Sequence, residues 1–159
     1  NGSWYHLATE KLLVALGIEA THVPYKGETP AVSDLAAGVI QLMIVSGSAK
    51  AFLDEGKIVA IASTGSKPAK LIRDSGIAGV ADYEEMPWIG FGMAAGAPAD
   101  IVNKLHGALV KALESNEVQT RLTLLGDIET STPTELQAIV RRELASNQKL
   151  LASGRIKLN

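Results

Sequence analysis

The sequence contains no cysteine, which excludes disulfides, thiolate nucleophiles and thiolate metal sites and leaves the compartment open. Long hydrophobic runs are missing too. The longest, residues 36–45, is broken by Gly38 and Gln41 and falls far short of the roughly 20 apolar residues a membrane-spanning helix needs. Charge of one sign is nowhere concentrated: Lys and Arg are scattered and the formal net charge is -2, so no footprint for nucleic acid is present. No charged-then-apolar leader pattern opens the chain. Asn1-Gly2-Ser3 reads instead as the middle of a loop entering a helix, which predicts a chain that begins inside a larger protein.

Motifs for chemistry are equally scarce. There is no Gly-x-Ser-x-Gly elbow, and the Ser46-Gly47-Ser48 turn has no base close in sequence. Gly90-x-Gly92 and Gly47 lack the downstream glycines and lysine of dinucleotide and phosphate loops. His22 and His106 have no second ligand at metal-binding spacing, and Glu84-Glu85 is an acidic pair without an evident acid/base partner. No catalytic residue, metal or cofactor is expected. Trp88 reads as a partly buried core residue rather than a cleft residue.

With 47% apolar residues over 159 positions, the chain can bury a core. Leu7, Leu12, Leu13 and Leu16 fall at helical spacing between Ser3, a suitable N-cap, and Gly17, a suitable stop. A second helix is expected to start with Thr29 as cap and Pro30 as first residue, and to end at Gly38. A short one from Ala49 ends at Gly56. Residues 58–62 and 39–45 have the near-continuous apolar character of buried parallel strands, and 88–94 and 128–130 read as further strands. Residues 64–85 form a polar connection. Ile101, Val102, Leu105, Leu109, Val110 and Leu113 mark one face of a long helix, and residues 118–125 form a shorter one stopped by Gly126. Thr132-Pro133-Thr134-Glu135 is a capping box opening a helix to about Ala152, closed by Gly154 and followed by an extended end. Helices alternating with apolar strands imply an α/β fold with a parallel sheet.

Three turns lead into helix starts: at Gly2-Ser3, at residues 27–31 and at residues 46–48. Helix starts carry unpaired N–H groups and about half a positive charge, and in open α/β sheets they line the ligand edge, so anions suit them. Lys26, beside one such start, opposes the dipole unless an anion is near, and His6 lies in the first turn of the opening helix.

Taken together, these segments resemble the substrate-binding receptors of tripartite tricarboxylate transporters, the Bug family. The matching residues are Gly2-Ser3 with His6-Leu7-Ala8, His22-Val23-Pro24-Tyr25-Lys26-Gly27 with Pro30-Ala31, Asp34-Leu35, Gly38 and Gln41-Leu42-Met43. Gly56-Lys57, the stretch from Gly90 to Pro98 and the closing Gly154-Arg155-Ile156-Lys157-Leu158 match as well. The resemblance implies a type II periplasmic binding protein whose amino-terminal half is missing from this chain. Residues 1–90 would be ligand-binding domain 2, and 91–159 a crossover strand with elements returning to domain 1. It implies a periplasmic location, a small carboxylate as ligand, and membrane permease subunits as partners. Truncation of this kind would also expose apolar surface and favour self-association. The implied ligand residues are Ser3, His6, Tyr25, Lys26, Gly27, Glu28, Thr29, Ala31, Ser46 and Ser48.

Three positions depart from the family pattern. Tyr5 stands where relatives carry a small hydroxyl residue, no aspartate lies near Val45, and Ala97 replaces a capping Thr. The missing acid points to a plain carboxylate rather than an amino acid. Two other classes fit parts of the pattern. An α/β enzyme acting on an anionic small molecule would need a clustered acid/base pair, for which only His6 and Lys26 offer themselves. A ligand-sensing interaction module would couple to a kinase rather than a permease.

Overall fold

In the computed structural model, which describes residues 2–65, 83–122 and 128–156, the opening helix α1 covers Trp4–Leu16. Its bounds follow from its caps. Ser3 is extended and its hydroxyl accepts from the His6 N–H at 3.4 Å. Gly17, at φ 64, takes the left-handed conformation that lets its own N–H and that of Ile18 close the final turn on Val14 and Leu13. Helix α2, Glu28–Ala36, begins earlier than Thr29 and Pro30 suggested. Gly27 is its N-cap at φ 114, a conformation side-chain-bearing residues rarely adopt, and Pro30 falls within the first turn, where a missing N–H costs nothing. A 3-10 turn, Gly47–Ala49, capped by the Ser46 hydroxyl, runs into the short α3, Lys50–Asp54. Val32, Ala49 and Ile58 form the buried centre here, with Leu35, Met43, Val45 and Phe52 packed around it.

The chain divides into two units, one of Asn1–Pro87 with Leu150–Asn159 and the other of Trp88–Lys149. Within the first, the Lys11 ammonium meets the Glu85 carboxylate at 2.8 Å with both side chains largely buried, and the Tyr83 hydroxyl donates to the Ala8 carbonyl at 2.9 Å. Arg155 reaches Glu10 and Glu19. The second unit holds α4, Ala99–Leu113, α5, Asn116–Leu122, and most of α6, Pro133–Ala152. The capping box is present as the sequence implied: Glu135 accepts from the N–H and hydroxyl of Thr132 at 2.8 Å each, and its own N–H donates to the Thr132 hydroxyl. Gly90 lies so near α6 that an added Cβ would stand 3.0 Å from a Leu136 methyl.

No strand ladder is formed among the described residues, although residues 39–45, 58–62, 88–94 and 128–130 have strand-like sequences; Ser63 alone makes a bridge. An apolar run establishes that a segment gains from burial, not which segment pairs with it. Here Val59 (80% exposed), Ile61 (73%), Phe91 (71%) and Ile89 (94%) stand open. Trp88, read from sequence as a partly buried core residue, is 42% exposed. Most of the polar connection (66–82), the end of the shorter helix with Gly126 (123–127) and the final residues 157–159 lie outside the described residues.

Candidate functional site

The starts of α1, α2 and the 3-10 turn meet around Ser46. Glu28, first residue of α2, turns its carboxylate onto Ser46: one oxygen accepts the Ser46 N–H at 2.7 Å, the other its hydroxyl at 2.8 Å. The Ser46 hydroxyl also lies 3.3 Å from that of Ser48 and accepts from the Ser48 N–H. Tyr5, from the first turn of α1, joins them. Burial pushes its phenol up first, the Glu28 charge adds to that, and a hydrogen bond with the Ser46 side chain acts in the opposite direction. The phenol is therefore a protonated donor at neutral pH. Glu28 is half-buried and forms no ion pair among the described residues.

His6 is a second fixed point. The residue is 9% exposed, and its ring accepts the Gly2 N–H on Nδ1 at 3.1 Å and stacks on His22 with centroids 3.9 Å apart. Burial, followed by the His22 charge, holds His6 below the ordinary histidine value, against a smaller upward pull from Glu10. The bond from Gly2 requires an unprotonated Nδ1, in keeping with that direction. The stack ties the start of α1 to the segment leading into residues 22–27.

The remaining candidates divide. The Tyr25 hydroxyl donates to Asp34 at 2.8 Å, so it braces its loop against α2. Lys26 and Thr29 are exposed, and Lys26 makes no ion pair among the described residues. The Ala31 side chain is in the core at 4% exposure, so it offers a ligand no side-chain contact. Gly27 provides the positive-φ cap. Ser3, Glu28, Ser46 and Ser48 all stand at element starts. Sequence reasoning passed over Tyr5 as a departure from pattern; its place two residues after the Ser3 cap was the available signal.

Two open depressions lie elsewhere. One of about 520 Å³ is lined by Val102, Asn103, His106, Thr132 and neighbours, where the His106 Nε2 lies 3.0 Å from the Ser131 carbonyl. Another of about 340 Å³ is bordered by Glu10, Glu19, His22 and Arg155. Among the described residues no group of three or more His, Cys, Asp or Glu side chains is placed to hold a metal, and no helix is long and apolar enough to cross a membrane.

Comparison with known proteins gives a consistent set. A family model described as tripartite tricarboxylate transporter family receptor matches residues 1–152. A UPF0065 protein in the clcB-clcD intergenic region of Pseudomonas knackmussii is 35% identical over 130 residues, 79% of this chain and 77% of that protein. Another in the tcbD-tcbE intergenic region of Pseudomonas sp. strain P51 is 30% identical over 99% of this chain and 49% of that protein. Among solved structures, an R. palustris protein with adipate superposes with a TM-score of 0.74 at 30% identity, covering 93% of this chain and 51% of that one. The periplasmic binding protein BugD gives 0.69 at 27%, covering 94% and 52%. A TctC solute binding protein from Polaromonas gives 0.81 at 23% identity, a likeness of fold. The chain thus spans about half the length of the receptor structures it matches.

Proposed function

This chain belongs to the tripartite tricarboxylate transporter receptor family, and from that premise we propose that it forms the ligand-holding part of a periplasmic solute-binding protein that captures a small carboxylate for membrane permease subunits. The observation that supports this reading best is the meeting of three element starts around Ser46, where Tyr5, Glu28 and Ser46 come within interaction distance. Amides at such starts supply donors and positive potential without bringing a mobile cation, so an organic anion can be held and released unchanged. The adipate held by the R. palustris relative is a ligand of the expected chemistry. On this reading residues 1–90 carry the ligand loops, and 91–159 return towards a second lobe built by the rest of a receptor of the relatives' length. The exposed apolar segments 59–61 and 88–93 would then form sheet strands of the type II fold.

A charge-assisted hydrogen bond contributes roughly 1.5–3 kcal/mol and a helix start about 0.3–1 kcal/mol, whereas micromolar affinity requires about 8 kcal/mol. One wall of a cleft falls short of that. Calorimetry of this chain against a panel of small carboxylates, with the matching alcohols as controls, is expected to show binding near millimolar for the acids alone. Absence of any carboxylate binding contradicts the proposal, and micromolar binding contradicts its requirement for a second lobe.

A further inference from the structure

We propose that Glu28 sets the ligand class of this site, admitting a molecule with a single carboxylate and a hydrogen-bond donor, ammonium or hydroxyl, at the end that meets Glu28. This rests on the carboxylate-receptor reading and narrows it.

The sequence offers no acid near Val45, which argued for a plain carboxylate. The fold brings one there from another element: Glu28 of α2 is bonded to Ser46, the residue after Val45. An ionised carboxylate has about four acceptor positions, and Ser46 takes two of them. The open positions suit a donor on the ligand. No Lys, Arg or His forms an ion pair with Glu28 among the described residues, and the nearby Lys26 is exposed. The Glu28 charge is felt at Tyr5, where it contributes to the upward shift of the phenol. A second ligand carboxylate at this position would meet an unneutralised like charge in a half-buried setting, where screening is weak. It would also find the Ser46 N–H and hydroxyl already engaged. A dicarboxylate therefore loses at this end what an ammonium or hydroxyl gains.

A purely structural Glu28, compensating the α2 dipole and capping the 3-10 turn, predicts no dependence of affinity on the far end of the ligand. The test is an amide chemical-shift titration of the chain at pH 7 with adipate, 6-aminohexanoate and 6-hydroxyhexanoate, which have nearly equal lengths. The native chain is expected to bind 6-aminohexanoate about tenfold more tightly than adipate, and the hydroxy acid separates a neutral from a charged donor. Glu28→Gln preserves the shape and can still accept the Ser46 N–H, while its amide nitrogen donates to the Ser46 hydroxyl instead of accepting from it; it is expected to abolish the preference. Glu28→Asp, which keeps the charge, is expected to retain it. If Glu28→Gln fails to fold, as judged by thermal melting, the ranking on the native chain decides. Equal or tighter binding of adipate by the native chain overturns the assignment while leaving the receptor reading intact, as does a preference that survives in Glu28→Gln. Failure of all three acids to bind the native chain overturns both.

Discussion

Tyr5 and Glu28 differ in how much their sequence positions reveal. Glu28 was legible as part of a helix-start loop, but its bond to Ser46, 18 positions away, depends on how α2 meets the 3-10 turn and has no local signature. Tyr5 looked like a misfit beside His6, yet its phenol belongs to the same cluster. His6 itself yields a pH prediction. Burial and His22 depress its value, so below the ordinary histidine value of about 6.5 the unfolded chain binds a proton that the folded chain resists. This contribution to stability is complete above that value and is lost as pH falls towards the depressed folded one. Thermal midpoints are expected to drop as pH falls below about 6.5, and His6→Gln should flatten the drop. An unchanged slope in the variant would show that His6 is not its source. Glu135, held low by its bonds to Thr132, acts in a separate, more acidic window below the ordinary glutamate value.

At the scale of elements, helix ends were largely readable because caps are local. Ser3, Gly17 and the Thr132 to Glu135 box each close a turn within a few residues of themselves. The start of α2 was misplaced because Thr29-Pro30 is a strong local signal, while the freedom of Gly27 to take φ 114 allows the helix to begin sooner. Strand pairing was beyond local reach, since a ladder depends on partners remote in sequence and none forms among the described residues. Thr132→Ala removes the hydroxyl that receives the Glu135 N–H and is expected to destabilise the fold around α6 by about 1 kcal/mol in urea unfolding. Thr132→Ser should restore it. A Thr132→Ala curve that coincides with the native one would mean the box contributes nothing here.

The whole molecule joins buried ionic pins with broad open apolar surface. Lys11→Met leaves the mostly buried Glu85 carboxylate without its cation, so a loss of roughly 3 kcal/mol is expected, with Lys11→Met/Glu85→Leu recovering much of it. Equal losses in the single and double variants would contradict that. Val59, Ile61, Ile89 and Phe91 are exposed well beyond what isolated surface apolars explain, so we expect the chain to self-associate as concentration rises in sedimentation experiments. A monomer throughout would show that these segments are covered in solution. The central claim is that amides at the starts of α1 and α2, beside the Glu28 and Ser46 pair, hold a carboxylate. Its most direct measurement is a residue-resolved amide chemical-shift titration with hexanoate, using hexan-1-ol as control. The account predicts saturable shifts near millimolar hexanoate at Tyr5, His6, Gly27 to Thr29 and Ser46 to Ser48, and none with the alcohol. Shifts centred on Val102 and His106, or the same response to the alcohol, would contradict it.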